Sequence, residues 1–425
     1  MSRRSAKSAQ YPPPDARQCV LAELRRQKMA RSPHAYERGT AAHFYEWVKT
    51  QAAGRLPVGP DVWICGDCHL GNLGPVANAD AEVAVQIRDL DQSVIGNPVH
   101  DLLRLGLSLA TAARSSDLPG VILSRIAGAL LDGYEQAFDD RRADDTSQSQ
   151  RPKVVTIAMK EALHRSQRKL ARQNIRHVEP HIPLGKRFWA MSDDENQAVH
   201  ALFEAGGPAL IRTVLGETER NASAIRVLDA AYWVKGCSSL GRRRYAVLLG
   251  VDGSNSTDGP PRLIDIKEAV APAAPVAHGH RMPRDNAKRV VEGARHVSPL
   301  LGERMIAARL DGCSAVVREL MPQDLKVEAE HLSERDAVKA AYFLALVVGR
   351  AHAGQMDAAT RQAWLAALHT RRPKSSEAPS WLWSSIVELL VMHEAQYLEH
   401  CRRYALERPL SSAQSCIEYG GISES

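Results

Sequence analysis

The sequence WICGDCHLGNLG, residues 63–74, allows two incompatible interpretations. From Cys65 to His69 it has the C-x-x-C-H spacing that attaches a c-type haem, and the cysteine pair alone is typical of thiol redox chemistry. Asp67, His69 and Asn72 can instead form a polar loop that handles a proton and a magnesium ion beside a phosphate. One set of side chains cannot serve both purposes, so the rest of the chain must decide.

The composition argues against an exported haem protein. The 425 residues are 44% apolar and 24% charged, and the net charge of +6 does not by itself indicate a nucleic-acid partner. The longest apolar run, the ten residues AAYFLALVVG from Ala340, is too short to cross a bilayer. Because the first residues also lack the apolar core of a secretory signal, we expect a cytoplasmic protein with no membrane partner.

Cysteine usage points the same way. The seven cysteines are odd in number and widely scattered, so we expect reduced thiols rather than a disulfide framework. Covalent haem belongs with export to an oxidising compartment, which the sequence does not signal. Zinc bound by Cys65, Cys68 and His69 would need a fourth ligand, and no second C-x-x-C or H-x-x-H pair supplies one. These observations favour the polar-loop interpretation.

Apolar periodicity divides the chain into helical and β-rich parts. Short strands are predicted on both sides of the quoted loop, within 61–67 and 81–91, and two amphipathic helices follow Pro98. The β-rich part, with one helix at 286–297, has strands predicted at 231–236, 242–251, 262–270, 304–310 and 314–322. Residues 333–405 are again predicted to be helical.

Carboxylates are concentrated around the loop. Asp67 lies within it, and Asp89 and Asp91 lie at the end of the strand predicted at 81–91. Phosphoryl transfer from a nucleotide needs one carboxylate near the attacking hydroxyl, and an amide plus a carboxylate that hold magnesium on the phosphates. Because both strands can end at one edge, we expect Asp67, Asn72 and Asp89 to lie close together.

The segment GDCHLGN followed by IRDLDQSVIGNPVHDLLRL resembles the catalytic segment of the aminoglycoside and choline phosphotransferase branch of the protein-kinase-like superfamily. The resemblance implies that Asp67 is the catalytic base, in a catalytic loop shared with His69. It implies that Asn72 and Asp89 are magnesium ligands, with Asp91 as a further candidate. Asp101 is implied as an internal brace.

The segment KGCSSLGRRRYAVLLGV and the later RLIDIKEA look like the small lobe of a kinase, with a glycine-rich turn and a strand lysine. In that lobe Lys267 would hold the α- and β-phosphates of ATP, and Glu292 would pair with it from the following helix. VVRELMP resembles the hinge at which adenine docks. The implied nucleotide contacts are Gly236, Ser238, Gly241, Lys267, Glu292 and Glu319.

The catalytic loop precedes the small-lobe elements, which reverses the order of an ordinary kinase. The resemblance therefore implies an α+β, two-lobed, circularly permuted protein-kinase-like fold with a small antiparallel β-sheet lobe and a larger helical lobe. RSPHAYERG before the loop and the late KEA are similar to a bacterial family of unknown function, over about residues 20–405. The expected divisions are a tail at 1–16, helical lobe at 17–220, β-rich lobe at 221–330, completing helices at 331–410 and a tail at 411–425.

The resemblance implies an ATP- and Mg²⁺-dependent phosphotransferase with an unknown small-molecule or protein acceptor. Cys65 stands where relatives usually have histidine, and Ser238 occupies the middle of the glycine-rich turn, so a nucleotide-binding regulator without transfer activity is a second hypothesis. A third is nucleotidyl transfer in the same cleft. We do not expect a nucleic-acid partner, although the basic helical face at 165–176 could serve an anionic substrate or a nucleic acid.

Overall fold

The structure is a computed structural model that describes residues 11–78, 82–139, 151–164, 180–215, 224–252, 261–325, 332–369 and 378–404. The helices are α1 Arg17–Met29, α2 Pro33–Glu37, α3 Ala41–Thr50, α4 Val99–Ser115, α5 Ile122–Gln136, α6 Lys153–His164, α7 Asp193–Leu215, α8 Asn286–Val297, α9 Pro299–Gly302, α10 Glu334–Ala353, α11 Ala358–His369 and α12 Ser380–Tyr404. The strands are β1 Val62–Ile64, β2 Leu73–Ala77, β3 Val83–Ile87, β4 Val94–Gly96, β5 Phe188–Trp189, β6 Ala224–Trp233, β7 Arg244–Asp252, β8 Arg262–Glu268, β9 Met305–Leu310 and β10 Cys313–Glu319.

A six-stranded antiparallel sheet in the order β5-β6-β7-β8-β10-β9 forms the β-rich part. Its alternating side chains separate two faces, as a period of two requires. Ile264 and Ile266 are buried on the face that packs against Leu21 of α1 and Phe203 of α7. The opposite face includes Leu263 and is buried around other residues. The strands predicted at 242–251, 262–270, 304–310 and 314–322 are confirmed, whereas the strand predicted at 231–236 overlaps β6 only at residues 231–233, since β6 begins at Ala224.

The sheet begins earlier in the chain than the boundary expected at residue 221. Strand β5 pairs with the end of β6, through Phe188 with Trp233 and Trp189 with Tyr232. A two-residue strand is too short to show alternation in sequence. Helix α7 likewise packs against this sheet, so residues 188–215 belong with the β-rich part.

The remaining helices pack around one large apolar core. Helices α4 and α5 were predicted from their periodicity, and both bury nearly continuous leucine and alanine faces. Helix α5 approaches α10 closely at Gly133, where an added Cβ would lie 2.0 Å from the Tyr342 carbonyl oxygen. A glycine is required at that crossing because the backbones leave no room for a side chain.

Two small strand pairs support the loop at residues 65–72. Strand β1 pairs antiparallel with β4, and β2 pairs antiparallel with β3. The predicted strands β1 and β3 are therefore confirmed, whereas β2 and β4 were not anticipated. Together they place the residues after β1 next to the residues after β3. The molecule is a mixed α+β protein with antiparallel sheets.

Three further expectations can be compared with the structure. In the described ranges no helix is long and apolar enough to cross a membrane.

The thiols of five described cysteines are not in disulfide bonds: Cys65, Cys68, Cys237, Cys313 and Cys401. Cys19 is disulfide-bonded. The expectation of reduced thiols is therefore wrong at Cys19, because spacing in sequence does not reveal which sulfur atoms meet in space. The predicted basic face at 165–176 lies outside the described residues.

Candidate functional site

The loop that carries Asp67 is held by the buried carboxylate of Asp101 on α4. Asp101 accepts hydrogen bonds from the backbone N–H groups of Cys65 and Gly66, at 2.7 and 2.8 Å. His352 of α10 lies 3.2 Å from the same carboxylate through Nε2, and its Nδ1 lies 2.9 Å from the Tyr134 hydroxyl. This geometry makes Asp101 an internal brace, and α4, α5 and α10 together fix the loop.

Gly66 is required by the shape of the loop. Its φ of +74° lies in the left-handed region, and a Cβ there would be 2.3 Å from the Gln92 carbonyl oxygen. The Gly66 carbonyl accepts a hydrogen bond of 2.7 Å from the Tyr45 hydroxyl. The backbone is thus fixed immediately before Asp67, which gives the Asp67 side chain a defined position.

Asp67 is mostly buried and has one strong cationic partner. The Arg104 Nε donates to Asp67 Oδ1 at 2.9 Å. Burial raises the pKa of Asp67 to about 6, and the Arg104 guanidinium opposes that rise. A carboxylate with this pKa can accept a proton near neutral pH.

His69 is buried beside Asp67 but is not hydrogen-bonded to it. The His69 Nε2 lies 4.0 Å from Asp67 Oδ2, beyond hydrogen-bond distance. Burial lowers the pKa of His69 to about 3, so the imidazole is neutral at physiological pH. The structure therefore places this predicted site residue next to Asp67, in its uncharged form.

The side chain of Asn72 binds the backbone of Asp89. Its Nδ2 donates to the Asp89 carbonyl at 2.8 Å, and its Oδ1 accepts from the Asp89 N–H at 2.7 Å. Both ends of the amide are therefore used to join the loop to the residue that follows β3. This arrangement differs from the direct magnesium contact implied for Asn72, because the amide positions Asp89.

Lys267 crosses from β8 to the two carboxylates after β3. Its Nζ lies 3.1 Å from both carboxylate oxygens of Asp89 and 2.7 Å from Asp91 Oδ2. Arg242, which follows the glycine-rich turn, reaches Asp91 Oδ2 at 3.2 Å. Two parts of the chain that are far apart in sequence therefore face each other across one cleft, as the sequence analysis requires.

The charges around Asp89 and Asp91 affect the two carboxylates in opposite directions. Burial alone would raise the pKa of Asp89, but the Lys267 ammonium, with more distant arginines, holds it below its ordinary value. Burial and the Asp89 charge raise the pKa of Asp91 above its ordinary value. A second cation at this point would be attracted to both carboxylates.

The Asp89 and Asp91 carboxylates line a cleft of about 170 Å³. Its polar and charged lining includes residues from the loop, the strand end, the glycine-rich turn and the N-terminal helices: Arg25, Arg38, Asp67, His69, Asn72, Asp89, Asp91, Gln92, Ser238 and Arg242. This volume is below the roughly 300–1,000 Å³ of ordinary small-molecule sites.

The backbone of the predicted glycine-rich turn is left-handed at both of its glycines. Gly236 and Gly241 have φ values of +96° and +94°, in the left-handed region. Lys28 donates to the Gly236 carbonyl, and the Cys237 thiol lies 3.3 Å from the Ala35 carbonyl. The turn is therefore packed against α1 and α2, and Ser238 at its middle lines the cleft.

Glu292 is not brought to Lys267. It is exposed on α8, whereas Lys267 pairs with Asp89 and Asp91. The residue from α8 that reaches the site is Arg289, which is buried and donates to the backbone carbonyls of Asp91 at 2.8 Å and Ser93 at 2.5 Å. Arg289 was not predicted, because a charged residue on a helix is normally solvated, and only its neighbours Val290 and Val291 indicate the buried face.

Glu319 lies at the end of β10 and is engaged by arginines. Its carboxylate accepts from Arg262 at 3.0 Å, and its carbonyl accepts from Arg304 at 3.0 Å. Burial raises the pKa of Glu319 to about 7. The structure does not bring Glu319 to the cleft lined by Asp67 and Asp89.

The two cysteines of the quoted sequence are buried beneath the loop. Cys65 and Cys68 are fully enclosed in the apolar core, and burial raises the pKa of the Cys65 thiol well above its usual range. A haem vinyl group could not reach either sulfur atom without unfolding this core. The polar-loop interpretation is the one that this packing accommodates.

The fold and cleft define a mixed α+β protein with two carboxylates facing a strand lysine. Residues 17–403 match the family described as "Uncharacterized protein conserved in bacteria (DUF2252)", and the chain belongs to that family. No curated protein and no solved structure matches the chain.

Proposed function

We propose that this protein is an ATP- and Mg²⁺-dependent phosphotransferase with a circularly permuted kinase-like arrangement. The observation that carries the proposal is the contact of Lys267 with Asp89 and Asp91, at 2.7 to 3.1 Å, since both carboxylates line the same cleft as Asp67. A strand lysine facing two carboxylates and a nearby base is the set that phosphoryl transfer uses. In this proposal Lys267 and Arg242 bind phosphate oxygens.

The carboxylates fit magnesium as an ion that arrives with phosphate. Across the described part of the chain, no group of three or more His, Cys, Asp or Glu residues could hold a metal. Mg²⁺ is commonly bound by only one or two carboxylates together with substrate phosphates. Asp89, with 52% of its side chain exposed, and Asp91 would hold it, while Asn72 keeps Asp89 in place. Bound there, the ion would neutralise phosphate charge.

Asp67 is suited to receive the proton of the acceptor. Its fixed position between Arg104 and the cleft allows one carboxylate oxygen to be paired while the carboxylate still lines the cleft. The pKa of about 6 lets it remain unprotonated at pH 7 and yet accept a proton during the reaction. Arg289 and Asp101 hold the backbone on either side of this centre.

A nucleotide-binding regulator is a second candidate, because Ser238 rather than glycine lines the cleft at the middle of the turn. A side chain at this position can crowd the transferred phosphate without preventing binding. Binding of ATP with Mg²⁺ but no turnover, in the presence of a broad acceptor panel, would favour this candidate. Transfer of a nucleotide rather than a phosphate would appear as a larger mass increase on the acceptor.

The proposal is tested by comparing Lys267→Ala with Lys288→Ala, an exposed lysine on α8. Thermal unfolding is followed with and without ATP and Mg²⁺, and ADP release is measured in parallel. We expect ATP with Mg²⁺ to stabilise the wild-type protein and Lys288→Ala equally. For Lys267→Ala, we expect the apparent affinity for ATP, taken from the stabilisation, to be at least tenfold lower. Equal stabilisation of all three proteins would refute the role of Lys267.

A further inference from the structure

A second cavity of about 630 Å³ adjoins the cleft. The two share the lining residues Arg25, Gly39, Ser238 and Arg242, so a molecule in this side cavity can reach the cleft that contains Asp67. The side cavity lies between α1, α2, the glycine-rich turn and the end of α12. Its volume is that of an ordinary small-molecule site.

The charge of the side cavity is positive. Its lining includes Arg25, Arg26 and Arg242 and contains neither aspartate nor glutamate. Arg242 is paired with Asp91, and Arg26 with Glu23. Arg25 donates only to the Gly39 carbonyl, at 3.2 Å, and no acidic group in the described ranges lies within ion-pair distance of its guanidinium. Arg25 therefore offers an unneutralised cation where the two cavities meet.

Arg38 adds a second such cation on the cleft side of this junction. It lines the cleft, and within the described segments its guanidinium has no carboxylate partner. Two arginines without acidic partners at one junction favour an anion, because a partly buried cation is stabilised by an opposite charge. The two guanidiniums would repel a cationic amine, whereas the carboxylates of Asp67, Asp89 and Asp91 also line the cleft.

Rings form the far wall of the side cavity. Tyr36, His43, His400 and Tyr404 line it, and the rings of His400 and Tyr404 have centroids 4.8 Å apart. His43 is fixed by Gln396 at 3.0 Å, and His400 by the Arg26 carbonyl at 2.9 Å. Fixed rings offer flat surfaces to the uncharged part of a ligand.

We propose that the side cavity binds the phosphate acceptor and that the acceptor is a small anion bearing a hydroxyl together with a phosphate or carboxylate group. This inference rests on the proposed phosphotransferase activity. It also separates this protein from the phosphotransferases it resembles, whose aminoglycoside and choline acceptors are cations. In the transfer, the acceptor hydroxyl oxygen bonds to the γ-phosphorus of ATP and the bond to the bridging oxygen breaks. ADP leaves with the electron pair, and the hydroxyl proton passes to Asp67.

The test uses three probes that share a hydroxyphenyl ring: 4-hydroxyphenyl phosphate, 4-hydroxybenzoate and tyramine. Binding to the full chain is measured by calorimetry in low salt, alone and with ATP and Mg²⁺ present. We expect one or both anions to bind and tyramine not to bind. Arg25→Ala should weaken anion binding at least tenfold, while Arg25→Lys and the exposed-site control Arg281→Ala stay within about threefold.

Each result decides the inference. The inference is overturned if tyramine binds more tightly than the anions. It is also overturned if Arg25→Ala leaves the anion affinity unchanged in a protein whose melting temperature is unchanged. Displacement of the anion by ATP at equal stoichiometry would make the side cavity the nucleotide site and would also overturn it. Failure of the proposed function looks different: Arg25-dependent anion binding would persist in a protein that does not bind ATP.

Discussion

Asp67 combines burial, one arginine partner and a place on the cleft. Replacing it with asparagine preserves its size but removes the group that accepts the proton. We expect Asp67→Asn to lower kcat by a factor of about 10² to 10⁴ while the affinity for ATP changes little. Steady-state kinetics measures kcat, and ATP titration measures the affinity for ATP. The control is Asp194→Asn, which changes an exposed residue of α7. Survival of transfer in Asp67→Asn would remove Asp67 from the mechanism.

The same residue fixes the sign of the pH dependence. Because burial raises the pKa of Asp67 to about 6, the carboxylate proposed to accept the proton is present above that pH and disappears below it. The value of kcat should therefore fall as the pH drops through about 6. His69, with a pKa of about 3, stays neutral over this range and adds no second transition.

Which residues the sequence could reveal depends on how their roles are encoded. Asp67, Asp89 and Lys267 stand next to recognisable strands and turns, so their approach could be expected. Asn72 was expected to bind a cation, but its role in holding Asp89 depends on where both of its amide atoms point. Arg289 donates to backbone carbonyls, and a carbonyl acceptor leaves no mark in the sequence of the acceptor residue.

At the scale of elements, the crossing of α5 and α10 depends on a glycine. A Cβ on residue 133 would meet the Tyr342 backbone carbonyl at 2.0 Å, whereas one on Gly120 meets nothing within 4 Å. We expect Gly133→Ala to lower the free energy of unfolding by about 1–3 kcal/mol or more, because the helices must separate. Gly120→Ala should change it by less than about 1 kcal/mol. Urea unfolding followed by circular dichroism compares the two variants.

The crossing also matters for the site, since α10 carries His352 and α5 carries Tyr134, which together support Asp101. Separation of the helices in Gly133→Ala should therefore lower activity even at temperatures where the protein stays folded. A stable, fully active Gly133→Ala protein would show that the helices adjust freely and that the brace does not depend on this packing.

Strands β6, β7 and β8 were predictable where their residues are mostly buried. Strands β7 and β8 were predicted close to their observed bounds, whereas only the last three residues of β6 fall within the strand predicted at 231–236. Strand β5 has two residues, and its place at the sheet edge is set by pairing with Trp233. Helix α8 was predicted with the observed bounds, but its rotation was not, because Glu292 and Arg289 both lie among apolar residues in the sequence.

At the scale of the whole molecule, Lys267 and Arg289 join the β-rich part to the loop that carries Asp89 and Asp91. These contacts hold the two parts face to face. In the proposed reaction, Lys267 would leave Asp89 and Asp91 and bind phosphate oxygens when the nucleotide enters. The two carboxylates would then bind Mg²⁺ in place of the lysine. The sequence predicted that these parts face each other, but not that Lys267 pairs with both carboxylates, because that depends on side-chain positions.

This exchange makes a prediction about magnesium in the absence of nucleotide. In the wild-type protein the Lys267 ammonium occupies the position between Asp89 and Asp91, so Mg²⁺ alone should have little effect on stability. Lys267→Ala leaves two neighbouring carboxylates without that cation and should lower the free energy of unfolding by about 1–2 kcal/mol. The expected loss is smaller than for a fully buried ion pair because Asp89 is half exposed. Added Mg²⁺ should restore much of the loss, since a divalent cation replaces the missing charge.

The measurement is chemical unfolding of the wild type, Lys267→Ala and Lys288→Ala, each with EDTA or with millimolar Mg²⁺. Stabilisation by Mg²⁺ should be largest in Lys267→Ala and should vanish when Asp89→Asn is added to it. An equal response in all three proteins would mean that Asp89 and Asp91 do not form a cation site. Because this test needs neither ATP nor an acceptor, it examines the carboxylate pair separately from the proposed transfer reaction.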